Sequence, residues 1–188
     1  MYMVKQLSLG IDFTCALTEA GAVKCWGLGI YGMLGNGSTG AVGDGPNEVP
    51  PPASLVGSQN DPVVRIAAGH QHACGLLASG KVRCWGYNFD KQLGPSLKDV
   101  VGDEPGEMPP ANVNLGAMAA VQVVAGSRHT CALMANKKVK CWGASPEEGY
   151  PGGSNLFPPP DVDVGGDVVM LASHMGKFTC ALLVDDSV

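Results

Sequence analysis

Apolar residues fall in short alternating runs. From Phe13 to Leu17, residues 13, 15 and 17 share one face of an extended chain, and residues 14 and 16 share the other. β-Branched residues are frequent in such runs, and Gly, Asn, Asp and Pro interrupt them, which predicts strand–turn–strand units rather than helix pairs. A hairpin turning around Glu19-Ala20-Gly21 sets Cys15 opposite Cys25 and Leu17 opposite Val23. The same register sets Leu76 against Val82 and Leu133 against Val139. On the other face Thr14 meets Trp26, Ala73 meets Trp85 and Thr130 meets Trp142, so a small residue leaves room for each indole. Both faces are largely apolar, so each hairpin sheet needs cover on both sides, as radially stacked blades provide.

The units are copies of one another. Cys15 and Cys25 are ten residues apart, as are Cys74 and Cys84, and Cys131 and Cys141; each second cysteine opens a Cys-Trp-Gly. The leading cysteines step by 59, 57 and 49 residues, the last step ending at Cys180. The run from Val63 to Gly69 recurs from Val121 to Gly126, Tyr31–Gly35 recurs as Asp90–Gly94, and Val42–Pro51 recurs as Val101–Pro110. The third copy keeps only Phe157-Pro158-Pro159 of that last segment. The array divides into repeats of approximately 4–62, 63–119, 120–167 and an incomplete 168–188. The fourth copy has one extra residue between Leu171-Ala172-Ser173 and Cys180, which flips the strand register unless a bulge absorbs it.

Composition narrows the class. With 27 glycines and 14 prolines in 188 residues, helix is disfavoured and an all-β chain favoured. Hydrophobic residues at 45% and charged residues at 15% exclude a disordered acidic chain. The net charge of −5 and scattered Lys and Arg give no footprint for direct nucleic-acid binding. No apolar run is long enough for a membrane span, and no signal-peptide core is visible before Gly10.

Three readings of the cysteine pairs remain open. Opposed cysteines in an antiparallel hairpin lie within disulfide range, and recurrence of both members favours the bonds Cys15–Cys25, Cys74–Cys84 and Cys131–Cys141. Reduced core cysteines are the second reading; zinc is the third, and it needs two further ligands per hairpin. His72 and His129 occupy the slot held by Phe13 in the first copy and by Phe178 in the fourth, so they read as structural. Trp26, Trp85 and Trp142, and Gly10, Gly69 and Gly126 at the close of each leading strand, read the same way. Asp44 with Glu48 and Asp103 with Glu107 recur at a spacing of four, too few oxygens for calcium, and read as solvated loop charges. No serine sits in a nucleophile elbow, no phosphate loop ends in Gly-Lys-Ser/Thr, and no nucleophile, base and orienter assemble.

Val63 to Gly69, His72, Cys74, Gly80-Lys81-Val82, Trp85-Gly86, Asn88 and Gln92-Leu93-Gly94 together resemble the repeat of the regulator of chromosome condensation family, especially its cysteine-bearing versions in bacterial secreted and surface proteins. The resemblance implies a β-propeller of four-stranded antiparallel blades, usually seven to a ring. This chain then forms a partial propeller, three blades plus the start of a fourth. It is expected to be a fragment of a longer protein, or a half-ring completed by another chain. The expected function is non-enzymatic protein interaction or ligand binding at the cell surface or outside the cell, with no cofactor or metal. Contact is expected through the variable segments Asn36–Asn60, Pro95–Ala119 and Ala144–Asn155. The resemblance also leaves two other readings, a nucleotide-exchange regulator of a small GTPase and a propeller-type protein inhibitor of an enzyme such as a β-lactamase.

Overall fold

A computed structural model describes residues 3–95, 98–144 and 157–185. The first blade is a three-stranded sheet, β1 (Val4–Leu9), β2 (Phe13–Thr18) and β3 (Val23–Gly27), whose fourth strand is reduced to the bridge between Gly27 and Val42. The second blade has four strands in sequential order, β4 (Val63–Ala68), β5 (His72–Leu77), β6 (Val82–Tyr87) and β7 (Val100–Val101). The third repeats that order with β8 (Ala120–Ala125), β9 (His129–Met134), β10 (Val139–Gly143) and β11 (Asp161–Val162). A two-stranded sheet of β12 (Val168–Ser173) and β13 (Thr179–Leu183) opens a fourth. All neighbouring strands are antiparallel, so the chain is an open arc of a β-propeller.

The hairpin register follows from the alternation of apolar residues. Cys15 pairs with Cys25, Leu17 with Val23 and Thr14 with Trp26, and the corresponding residues pair in blades two and three. Each leading strand shifts register near its start, at Val4/Gln6, Val63/Arg65, Ala120/Gln122 and Val168/Met170. The extra residue of the fourth copy takes neither of the two courses expected for it. Ala172 pairs with Cys180 as Ala67 does with Cys74, so the added residue enlarges the turn between Ser173 and Thr179. Lengthening a turn costs little, whereas a slip would reverse the faces of the whole strand.

The core lies between the blades. One buried cluster runs from Phe13, Leu17 and Cys15 in the first blade through Val63, Ile66 and Trp85 in the second to Val123 and Trp142 in the third. A second joins Cys131, Leu133 and Val139 of the third blade to Val168, Leu171 and Leu183 of the fourth. The outward faces at the two ends of the arc are open: Leu7 and Leu9 are each 56% exposed and Phe178 is 71% exposed.

The glycine of each Cys-Trp-Gly has a defined task. Gly27, Gly86 and Gly143 take φ of 106°, 106° and 116°, a region that favours glycine. A Cβ on Gly86 would lie 2.7 Å from the carbonyl oxygen of Gln71, and one on Gly143 would lie 2.5 Å from that of Arg128. Gly86→Ala is therefore expected to destabilise the chain by about 1–3 kcal/mol, and by more than Gly106→Ala, measured by thermal unfolding. At Gly106, φ is 90° but nothing lies within 4 Å of an added Cβ. Equal losses from the two substitutions would show that the close backbone approach at Gly86 is unimportant.

Candidate interaction surface

Blade docking builds the frame on which any surface is displayed. Sγ–Sγ bonds join Cys15 to Cys25, Cys74 to Cys84 and Cys131 to Cys141, each with a Cα–Cα distance of 4.1 Å. Cys180 carries an exposed thiol. The bonded cysteines face the next blade: Cys74 Sγ lies 3.9 Å and Cys131 Sγ 3.8 Å from the hydroxyls of Thr130 and Thr179.

Tryptophan and histidine complete each junction. Trp85, fully buried, donates from Nε1 to the Met33 carbonyl of the first blade at 3.0 Å, and Trp142 donates to the Gln92 carbonyl of the second at 2.8 Å. Trp26, whose indole faces outward from the first blade, is half-buried. Thr130 Oγ1 also donates to the Gln92 carbonyl, at 2.9 Å. With its proton used there, Thr130 accepts from His72 Nε2, 2.9 Å away, which fixes the neutral Nε2–H tautomer of the imidazole. Thus His72 fills more than an aromatic-sized hole: one of its nitrogens bonds across the junction, which a Phe in that slot cannot do. His129 Nε2 stands in the same relation to Thr179 Oγ1, at 2.8 Å. Gly10, Gly69 and Gly126 make room for the slot rings; an added Cβ would meet the Phe13, His72 or His129 ring within 2.6 Å. His70 and His174 lie in turns, where the His70 backbone links blades by accepting from Ile11 N–H and donating to the Gly126 carbonyl.

The inner wall adds a clamp with no counterpart in the sequence expectations. Gln6 accepts from Ile66 N–H at 3.0 Å and donates to its carbonyl at 2.7 Å, and Gln122 does the same to Leu171 at 2.8 and 2.7 Å. The intervening copy places Arg65 at this position, and a guanidinium has no acceptor to offer. An open cavity of about 280 Å³ runs along this wall; Arg65 and His174 are the ionisable residues lining it, and they form no nucleophile–base pair. Among the described residues no group of three or more His, Cys, Asp or Glu could hold a metal ion.

On the rim, the glutamate of each recurrent pair closes a loop instead of serving only as a solvated charge, while Asp44 is exposed as expected. Glu48 Oε2 accepts from Gly43 N–H at 2.7 Å and Gly45 N–H at 2.9 Å, and these bonds, Gly45 first, hold its carboxyl below the usual range. Glu107 Oε2 accepts from Gly102 and Glu104 N–H at 2.8 and 3.2 Å. Burial pulls Glu107 upward, but the Lys98 ammonium and those N–H groups outweigh it and bring it down to about 2. Asp103 moves up, through burial and its contact with Glu107. Buried Asn88 ties the neighbouring loop, donating to the carbonyls of Gly94 and Lys98 and accepting from Leu93 N–H.

Across this rigid rim runs a chain of aromatic rings. Tyr31 and Tyr87 meet edge to face at 5.1 Å, and Tyr87 lies 5.0 Å from Phe89, which is 57% exposed. A cavity of about 280 Å³ beside them is lined by Ile30, Tyr31, Thr39, Val100 and Asp103. The rings precede the segments expected to carry contacts, and those segments are partly pinned: Ser54 bridges to Val23 and Asn112 to Arg83. Apart from Ala144, the segment Ala144–Asn155 lies outside the described residues.

Stacked antiparallel blades, buried junctions and an exposed aromatic rim define a propeller scaffold. The pattern of the Regulator of chromosome condensation (RCC1) repeat matches residues 4–32, 63–92 and 120–148, and a second form of it matches 20–76. The chain belongs to the RCC1 repeat family. It is 32% identical over 134 residues to the human E3 ubiquitin-protein ligase HERC2, covering 71% of this chain and 2% of that protein. It is 31% identical over 146 residues to the mouse secretion-regulating guanine nucleotide exchange factor, covering 74% of this chain and 29% of the relative. Among solved structures, Prp20p from Saccharomyces cerevisiae superposes with a TM-score of 0.66 at 23% identity, over 95% of this chain and 43% of that one. The ectodomain of the Arabidopsis thaliana receptor kinase ACR4 gives 0.54 at 23%, over 96% and 46%. The chain therefore spans less than a third of these curated relatives and less than half of these solved propellers.

The junction has a consequence for pH. Burial, followed by the neighbouring imidazoles of His129 and His70, lowers His72 to about 3. Its ordinary value is near 6.5, so between about pH 6.5 and 3 the unfolded chain takes up a proton that the folded chain refuses. His72 is expected to stay neutral from pH 8 to 4 by imidazole NMR, while stability declines as pH falls through that window. Titration of His72 near 6.5 would show the ring to be solvated.

Proposed function

We propose that this chain is a non-enzymatic protein-interaction module whose contact surface is the aromatic rim Tyr31–Tyr87–Phe89. The supporting observation is the exposure of Phe89 and Tyr31 on loops anchored by buried Asn88 and by the Glu107 loop closure. Ordered aromatic side chains on a rigid base give contact area at small entropic cost and are enriched at binding hot spots. The three disulfides support an oxidising setting, at the cell surface or outside the cell. The bacterial secreted type stands on the sequence resemblance, since the curated relatives described above are mammalian. Further repeats, or another chain, complete the ring. Exchange-factor activity on a small GTPase is the second reading, favoured by the name of the mouse relative.

Affinity capture with the folded chain, a Tyr31→Ala/Phe89→Ala variant and a Lys177→Ala control distinguishes the surfaces. A bound protein is expected to lose at least about tenfold in affinity for the double variant and none for the control. Equal binding to all three would move the contact off the rim. In parallel, release of labelled guanine nucleotide from small GTPases is expected to be unchanged by the chain; acceleration would favour the exchange-factor reading.

A further inference from the structure

Two positions meet at every blade junction, and their identities change together. The second junction pairs His72 with Thr130 and the third pairs His129 with Thr179. At the first junction the corresponding positions hold Phe13 and Ala73. Imidazole goes with hydroxyl, and phenyl with methyl. These sites are dry: Phe13, His72, His129, Ala73 and Thr130 are all buried. A buried polar group without its partner loses far more than a matched hydrogen bond gains, whereas replacing both partners by apolar groups is nearly neutral. His against Ala strands an N–H, and Phe against Thr strands a hydroxyl acceptor. Each matched pair satisfies the atoms that face each other across the junction; His72 Nδ1, on the far side of the ring, is buried without a hydrogen-bond partner among the described residues in either case.

We propose that this pair is a matching rule that selects which blade docks on which. The open face around Thr14 is then the docking site for a blade of the same repeat class that carries His in the His72 position. Thr14 stands beside Trp26 on the outward face of the first blade, with exposed Leu7 and Leu9 supplying the apolar surround. A second copy of this chain is the wrong occupant, because it presents Phe178 to Thr14, a mismatched pair. Phe178 in turn takes a blade with Ala at the Thr130 position. This assignment is independent of the rim as a binding surface.

Two experiments test it. In a double-mutant cycle on chain unfolding, His72→Phe and Thr130→Ala are each expected to destabilise, and the double variant to recover at least about fivefold in the equilibrium constant relative to additivity. Additive losses would overturn the rule. In sedimentation of the whole chain, Thr14→Ala creates Phe–Ala and Phe178→His creates His–Thr at a head-to-tail contact. Each single variant is expected to self-associate about five- to tenfold more tightly than the wild type, and the combined variant to return to wild-type behaviour. Wild-type assembly as tight as that of the single variants, or no change in either, would overturn the docking assignment.

Discussion

Everything in this chain depends on the fact that each blade is a small sheet with two apolar faces. Such a sheet cannot shield itself: Cys15 and Leu17 of β2 are buried against the second blade, and in the second blade Cys74 and Leu76 on one face of β5 and Ala73 and Leu77 on the other are all buried. The blade therefore exists as a folded object because neighbours cover it, as in other quasi-one-dimensional repeats. The disulfides do a different job. Each closes a ten-residue separation within one hairpin and fixes its register, worth roughly 2–3 kcal/mol in the unfolded-chain view, but joins no blade to another. Attachment between blades comes from the buried indoles, the His–Thr or Phe–Ala pair and the Gln clamps on the inner wall.

That division of labour explains where function can reside. Junction residues are committed to packing: both imidazoles are buried and bonded to threonine hydroxyls, and burial holds His72 neutral. The rim has the opposite character, since Glu48, Glu107 and Asn88 spend their polar atoms on loop backbone and so hold Tyr31, Tyr87 and Phe89 in place without covering them. The proposed interaction surface draws on that character, since aromatic side chains on anchored loops offer contact area at small ordering cost.

Much of this was legible in the sequence, and the exceptions have physical causes. The ten-residue cysteine spacing and the Cys-Trp-Gly tripeptide determine hairpin register directly, because opposed residues on a short antiparallel hairpin have no freedom to move. The fourth copy differed because a turn could absorb what a strand could not. Comparing copies identified the slot shared by Phe13, His72 and His129, but its partner lies in the next copy, about a repeat away, and emerges only when blades are docked. Glu48 and Glu107 were visible as a recurrence; their acceptor role depends on the direction of loop N–H groups, which spacing does not encode. Tyr31, Tyr87 and Phe89 occupy non-equivalent positions in their copies, so no internal comparison could find them.

The central claim, that blades are stable through one another rather than singly, is tested most directly by native-state amide hydrogen exchange along β5 and β9. Mutual docking requires the slowest amides of the two strands to open with the same free energy, within about 0.5 kcal/mol, and to lose protection together when Thr130 is replaced by alanine. Opening energies that differ by more than about 2 kcal/mol, or a Thr130→Ala effect confined to β9, would mean that each blade is held by its own disulfide and hairpin, and would contradict the account.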